Sequence, residues 1–387
     1  MLLGVVGAPN KGKSTFFSAA TMVDAAIASY PFTTIDPNRG VTYVRAKCPH
    51  AELGVKCAPH NSRCENGVRL VPMNMIDVAG LVPGAHLGKG MGNQFLDNLR
   101  EADVLIQVID LSGRTDLEGN PAAGADPGEE ILFLEKEVSY WIAGILKRNW
   151  AKIRGKTLAE VAEALAGLKV GFVDVEHVAT ALNLPKERID WTDEQAFEFA
   201  DRIRRATKPM IIAANKSDLP ESRANLEKLR KRFPGKKILP CCAAAELALR
   251  KAVQKGAVEY VPGNREFRIT GDVDEKQKAG LGTLASLIRE NGSGVQEIIN
   301  AAAFGLLDMI IAYPVEDEHK YANHMGAVLP DAILLKRGST ALQLAEKIHT
   351  DLAKNFVCGI NCRTHMRVGK EHPLEDGDII KIVANVR

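Results

Sequence analysis

The chain has 387 residues, 46% of them hydrophobic and 25% charged, with a formal net charge of +2. That length suits two or three globular domains, and near-neutrality leaves any nucleic-acid binding to local charge. Its apolar runs are too short or too interrupted for a membrane span. Seven cysteines with no readable export signal are expected as reduced thiols in the cytoplasm.

The first predicted element is an apolar strand, Leu2–Val6, which runs into Gly7-Ala-Pro-Asn-Lys-Gly-Lys-Ser14. This is the G-x-x-x-x-G-K-[ST] pattern in its required context, with a helix-compatible run (Thr15–Ala20) after it. Gly7 and Gly12 let backbone N–H groups turn toward phosphates, and Ala8, Pro9, Asn10, Lys11 and Thr15 complete the cradle. Lys13 is expected to reach the β- and γ-phosphates, and Ser14 to ligate Mg²⁺. Ser29-Tyr-Pro-Phe-Thr-Thr-Ile-Asp-Pro37 lies before a strand at Gly40–Arg45, where a first switch loop belongs. Thr34, with Thr33 in reserve, is expected to close over Mg²⁺.

Cys48-Pro-His50, Cys57-x-x-His60 and Cys64 follow. Zinc takes four nitrogen or sulfur ligands in a tetrahedron, and five candidates fall within seventeen residues. The spacing matches no standard finger, and Pro and Gly dominate the loop. A surface hairpin tip is therefore expected, with zinc as the alternative.

Met73–Val78 reads as a strand ending in Asp77, which suits a Mg²⁺-linked aspartate; Gly80 completes D-x-x-G and is expected to offer its N–H to the γ-phosphate. Residues 77–93 hold five glycines and His86. Leu81 stands where many GTPases carry the glutamine that orients the attacking water.

Val104–Leu111 and Met210–Ala214 are further core strands, separated by far more chain than one connecting helix needs. The gap predicts a helical insertion bounded near Asp126-Pro-Gly128 and Arg205–Pro209. Its first helix has Ile131, Leu134, Val138, Trp141, Ile142 and Ile145 on one face. Thr157–Leu168, Val175–Leu182 and Thr192–Ala206 continue it. Asn215-Lys-Ser-Asp218 follows a strand, at the edge of a parallel sheet where ligands bind. An aspartate there accepts from guanine N1–H and its exocyclic amine; adenine presents neither donor to it and turns a ring-nitrogen lone pair toward the carboxylate. Sites built on such a hydrogen-bonding group discriminate by roughly 10⁴–10⁵, so Asp218 predicts GTP over ATP.

Leu226–Lys237 carries six basic residues and one acidic, expected as a solvated helix face with RNA contact as the alternative. Asp272–Ile311 reads as helical. Ala332–Leu335, Phe356–Ile360, Met366–Val368 and Asp378–Val383 read as strands. Between the first two, Thr340-Ala-Leu-Gln343 is a capping box opening a helix. Residues 333–371 hold seven Lys or Arg against three Asp or Glu, a modest basic bias.

GAPNKGKST, SYPFTTIDPN, DVAGLVPGAHLGKGMGNQFLDNLREAD and NKSD together resemble the Obg family of GTPases, specifically its YchF-like branch. The resemblance runs to the C-terminus. It implies an α/β protein: a P-loop NTPase (GTPase) domain with an inserted helical subdomain and a C-terminal TGS domain, a ubiquitin-like β-grasp. The corresponding divisions are residues 1–126 and 208–310, residues 127–207, and residues 311–387. The family implies a GTP-driven switch in the cytoplasm that binds the ribosome or ribosomal RNA through the TGS domain and basic surface, with neither membrane nor DNA as partner. Many YchF-like members carry Asn-x-x-Glu and accept ATP, whereas this chain keeps Asp218, so ATP preference is not carried over. By the same resemblance Asn215, Lys216 and Asp218 hold the base, Cys242 takes the usual serine position, and the Ala243 N–H faces the base oxygen. Adjacent Cys241 and Cys242 are expected to pack rather than to do redox chemistry. With Leu81 unable to orient water, the resemblance offers two substitutes: Asn10 holding a K⁺ beside the phosphates, or His86 approaching as its loop closes. Slow turnover is expected. The rival readings are a P-loop kinase acting on a small acceptor, and a nucleotide-sensing adaptor for RNA or ribosomes with incidental hydrolysis.

Overall fold

The computed structural model describes residues 1–21, 38–78, 80, 84 and 98–385. Its described chain forms two compact units: 1–21, 38–40 and the described residues of 74–298, and 41–73 with 299–385.

In chain order the elements of the first half are β1 (Leu2–Val6), α1 (Lys13–Thr21), β2 (Arg39–Lys47), β3 (Arg63–Glu65), β4 (Val68–Asp77) and β5 (Val104–Asp110). Next come α2 (Pro127–Arg148), α3 (Leu158–Leu165), α4 (Phe172–Ala181), α5 (Asp193–Thr207), β6 (Met210–Asn215), α6 (Ser222–Arg232), β7 (Ile238–Pro240), α7 (Ala243–Gln254) and α8 (Glu275–Asn291).

The first unit is a parallel sheet in the order β4-β1-β5-β6-β7, flanked by helices. Every residue of β1 and β5 is buried, as a strand covered on both faces requires. The register pairs Val5 with Asp77, Val6 with Gln107, and Asp110 with Asn215. The C-terminal ends of these strands therefore lie along one edge, and that edge is where α/β sheets bind ligands.

The predicted stripe on α2 is buried throughout: Leu134, Val138, Trp141, Ile142 and Ile145 join one core with α3–α5, and Ile131 packs in a second cluster with Ile109 and Ile212. The Asp126 carboxylate caps α2 by accepting from the Gly128 N–H at 2.9 Å, and Pro127 opens the first turn. The helical reading of 272–311 is broken in two places. Gly292 and Gly294 adopt positive φ between two helices, and Met309 already begins a strand.

In the second unit β8 (Met309–Val315), β9 (Ile333–Lys336), α9 (Ala341–Ile348), β10 (Phe356–Asn361), β11 (Met366–Val368) and β12 (Ile379–Ala384) make a β-grasp, with strand order β9-β8-β12-β10-β11. Thr340 forms the predicted capping box with Gln343, and Ala341, Leu344 and Ala345 bury one face of α9 on the sheet. Pro314 fits within β8 because the strand changes partner: Met309–Ala312 pair with β9 and Tyr313–Val315 with β12. Among the described residues no helix is long and apolar enough to cross a membrane.

Phe199 is fully buried and its ring lies 4.7 Å from that of Trp191. Phe199→Ala is expected to destabilise the first unit by about 3–5 kcal/mol. Val173→Ala, at a side chain 76% exposed, should stay within about 0.5 kcal/mol of wild type. Urea unfolding of both variants checks the contrast.

Candidate functional site

Residues 7–12 form the turn between β1 and α1. A Cβ at Gly7 would come within 2.5 Å of the Val108 carbonyl oxygen, and one at Gly12, where φ is +88°, within 2.2 Å of Asn215 Nδ2. Only glycine allows so close an approach. Asn10 takes the left-handed conformation that asparagine tolerates (φ 61°), and its Nδ2 donates to the Gly119 carbonyl at 2.9 Å.

Ala8 is buried in this turn, and Pro9 and Thr15 are half-buried. Lys13 Nζ lies 2.9 Å from Asp77 Oδ1, and Ser14 Oγ donates to Asp77 Oδ2 at 3.3 Å. The glycine turn and the end of β4 thus meet at one point, with Gly80 beside them: a Cβ there would sit 3.7 Å from the Gly7 oxygen.

The third segment joins through Asn215, which is buried at the end of β6. Its Nδ2 donates to the Lys11 carbonyl at 3.0 Å, and its Oδ1 accepts from the Ala243 N–H at 3.0 Å. One carboxamide therefore ties the glycine turn to the start of α7. Lys216, also left-handed (φ 62°), donates to Asp110 Oδ2 at 2.8 Å and to the Asn10 carbonyl at 3.3 Å. Burial pushes the Asp110 carboxyl up. Hydrogen bonds from Lys216, Ser112 and Thr115 outweigh it and hold the group below its ordinary value.

Asp218 is exposed, with the buried Cys242 thiol as a neighbour. Burial, reinforced by that carboxylate, pushes Cys242 up to about 12, and burial raises Cys241 well above its ordinary value. Both thiols are protonated at neutral pH. Thr33, Thr34, Leu81 and His86 lie outside the described residues.

Sequence reasoning missed a buried ion pair under the turn. The Lys11 side chain points inward and is fully buried, its Nζ 2.9 Å from Glu130 Oε1 in the first turn of α2. The same ammonium donates to Thr115 Oγ1, Thr115 O and Asp116 O at 2.7–3.1 Å. Glu130 Oε2 accepts from the Asp110 N–H at 3.1 Å. Burial pushes the Glu130 carboxyl up to about 7, opposed by the Lys11 charge. No spacing rule joins residues so far apart in sequence.

Three family profiles match the chain. They are 50S ribosome-binding GTPase over residues 2–139, Obg-like GTPase YGR210-like, G4 motif-containing domain, over residues 213–317, and TGS domain over residues 325–384. The chain is 45% identical to an uncharacterised GTP-binding protein of Methanocaldococcus jannaschii, covering 99% of each. It is 26% identical to the ribosome-binding ATPase YchF of Buchnera aphidicola, again covering 99% of each. A crystal structure of a GTP binding protein from Pyrococcus horikoshii matches 100% of both chains at 41% identity, with a TM-score of 0.79. The architecture is that of a P-loop GTPase domain with a C-terminal TGS domain.

Glu130→Ala leaves the Lys11 ammonium buried without its counter-charge and is expected to cost about 3–5 kcal/mol. Replacing both partners, Lys11→Met with Glu130→Leu, should recover most of that loss. Denaturant midpoints of the single and double variants at pH 8 check it.

Proposed function

This chain belongs to the Obg family of GTP-binding proteins, in its YchF-like branch, and from that premise we propose that it is a Mg²⁺-dependent GTPase that switches on the ribosome. The observation that carries the reading is the meeting of Lys13, Ser14 and Asp77 within hydrogen-bond distance, beside a turn that only glycines can make. In the proposed division by function, residues 1–126 and 208–310 form the nucleotide domain, 127–207 a helical insertion and 311–387 the TGS domain; by packing, 41–73 and 299–310 group with the second unit instead.

Ser14 and Asp77, with Thr34, would hold Mg²⁺, which when bound supplies charge neutralisation across the β- and γ-phosphates. The donor set fits: the Ser14 hydroxyl and the Asp77 carboxylate lie 3.3 Å apart, next to Lys13. Lys13 rests on Asp77 in the described state and exchanges that carboxylate for phosphate oxygen when nucleotide enters. Backbone N–H groups between Gly7 and Thr15, Pro9 excepted, orient the phosphates, and Gly80 adds its own. On the base side Asp218 accepts from guanine and Lys216 lies along the turn, donating to the Asn10 carbonyl; the Ala243 N–H, expected to face the base oxygen, donates to Asn215 Oδ1 in the described state and would have to exchange that partner for the base. Phosphoryl transfer needs positioning and charge more than covalent help. Leu81 supplies neither, so Asn10 with K⁺, or His86, is assigned the part. The Nδ2 of Asn10 is engaged by Gly119, which leaves Oδ1 for a cation.

The names of the relatives diverge: GTP-binding in Methanocaldococcus and Pyrococcus, ATPase in Buchnera. Asp218 favours GTP. Each hydrogen bond to its carboxylate is worth about 1.5–3 kcal/mol. Asp218→Ala is therefore expected to weaken GTP by roughly two to four orders of magnitude while leaving ATP nearly unchanged. Competition titration against a fluorescent guanine nucleotide measures it, and equal wild-type affinities for GTP and ATP would overturn the assignment.

Ribosome association rests on the TGS profile and on the Buchnera relative's name. The basic run on α6 supports it less than its charge count suggests. Arg232 is held by Asp126 and Glu129, and Lys236 by Glu135. Co-sedimentation with ribosomal subunits should depend on nucleotide, stronger with a non-hydrolysable GTP analogue than with GDP, and Lys13→Ala should remove that difference. Hydrolysis should quicken when K⁺ replaces Na⁺. Binding indifferent to nucleotide would favour the adaptor reading, and γ-phosphate transfer to a metabolite the kinase.

A further inference from the structure

We infer that Cys48, His50, Cys57 and Cys64 form a structural zinc site in the second unit. Their ligating atoms all lie within 4.8 Å of one another. Cys57 Sγ and Cys64 Sγ are 3.2 and 3.4 Å from His50 Nδ1, and Cys48 Sγ is 3.9 Å from Cys57 Sγ. With Zn–S of about 2.3 Å and Zn–N of about 2.0–2.1 Å, a tetrahedral ion sets two sulfurs about 3.8 Å apart and sulfur and nitrogen about 3.6 Å apart. The four side chains come from separate places: the residue just after β2, the short helix His50–Leu53, the loop after it, and β3. They nevertheless bring their donor atoms to that spacing. His60, a candidate by sequence, is exposed and stands outside the set.

Arg69 points independently to an anionic centre beside these thiols. Its side chain is fully buried, yet no carboxylate pairs with it among the described residues. The guanidinium donates to Ser62 Oγ at 2.9 Å and to the carbonyls of Leu329 and Pro330 at 2.7 and 3.3 Å, and its Nη1 lies 4.0 Å from Cys48 Sγ. A buried cation is costly without a counter-charge. Three thiolates and one Zn²⁺ carry a net charge of −1, which is the charge Arg69 lacks. Binding takes the metal as Zn²⁺ and releases three thiol protons to solvent, with neutral imidazole as the fourth ligand.

Four protein ligands close the coordination sphere, so the role is structural rather than catalytic. The chain between the ligands is bound to the segment that leads into β9. The Ala58 N–H donates to the Val328 carbonyl at 2.8 Å, and the His60 N–H to that of Pro330 at 2.7 Å. Asn61 exchanges two hydrogen bonds with Ala332. The ion would hold this loop in the shape that presents those donors. Thiolate-rich tetrahedral sites select zinc or iron, and metal analysis separates the two.

The test is metal content of the full chain produced with zinc in the medium, by mass spectrometry, together with Co²⁺ substitution. One zinc per chain is expected, with thiolate-to-cobalt charge-transfer bands and tetrahedral d–d bands. Cys57→Ser and Cys64→Ser should lose the ion, whereas His60→Ala and Cys358→Ser keep it. Arg69→Met should weaken zinc by about 10–100-fold, as loss of an outer-shell partner does. Should the cysteine variants not fold, a thiol-specific mercurial on wild type must release one zinc per chain. Wild type with no metal and no cobalt bands, iron in place of zinc, or His60→Ala losing the ion as fully as Cys64→Ser would each overturn the assignment.

Discussion

The whole nucleotide edge depends on how closely Asn215 approaches Gly12. A side chain of any size at Gly12 would strike the Asn215 amide, and without that approach Nδ2 could not reach the Lys11 carbonyl. The same carboxamide turns its oxygen to the Ala243 N–H. The glycine turn and the start of α7 are thereby held by one planar group, whose two ends cannot move independently. Being buried, the amide has no water to substitute for either partner, and each lost bond would leave an unsatisfied group at about 1–3 kcal/mol.

Three lysines surround this edge, and their environments assign them different work. Lys11 is sealed, with Glu130 as counter-charge and three further acceptors. Lys216 is part-buried and braced by Asp110, itself fixed by Ser112 and Thr115. Lys13 alone pairs with a carboxylate while both side chains keep some exposure, 13% and 14%. An incoming polyphosphate can compete for that pair because water already reaches it. For the sealed pair the desolvation cost is already met in the fold, and separating the charges recovers nothing. Lys11 and Lys216 therefore shape the turn, and Lys13 is the one able to change partners.

Patterns bound to local geometry were legible in the sequence. Gly7, Gly12 and Lys13 announce a turn, a close approach and a helix start within eight residues, and the stripe from Leu134 to Ile145 announces a buried helix face. The capping box at Thr340 is equally local. What stayed hidden depends on distant residues meeting. Glu130 reads as one more acid among Glu129, Glu135 and Glu137, and nothing in the helix period says which one turns toward Lys11. Arg69 lies outside the strand predicted at Met73–Val78, and burial alone reveals its need for a counter-charge. The helix predicted through residues 272–311 failed at Gly292–Gly294 and at Met309, because an apolar run such as MIIAYPV has no periodicity that separates buried helix from buried strand.

The helices between α2 and α5 bear on this edge through packing. Leu134, Val138 and Trp141 of α2 and Phe199 and Ile203 of α5 share one continuous cluster with Leu2, Val6, Ile76 and Leu105 of the sheet. An insertion that merely hung from the sheet would have its own core and a polar seam, as loosely coupled domains do. Here Glu130 and Leu134 stand one turn apart on the same helix, the first facing the glycine turn and the second the shared core. α2 is 22 residues long, about 33 Å at helical rise, and it is capped at its start by Asp126. Its first turn therefore cannot shift without disturbing either the Lys11 pair or the packing behind it. The inserted helices are thus part of what keeps the phosphate-binding turn in place.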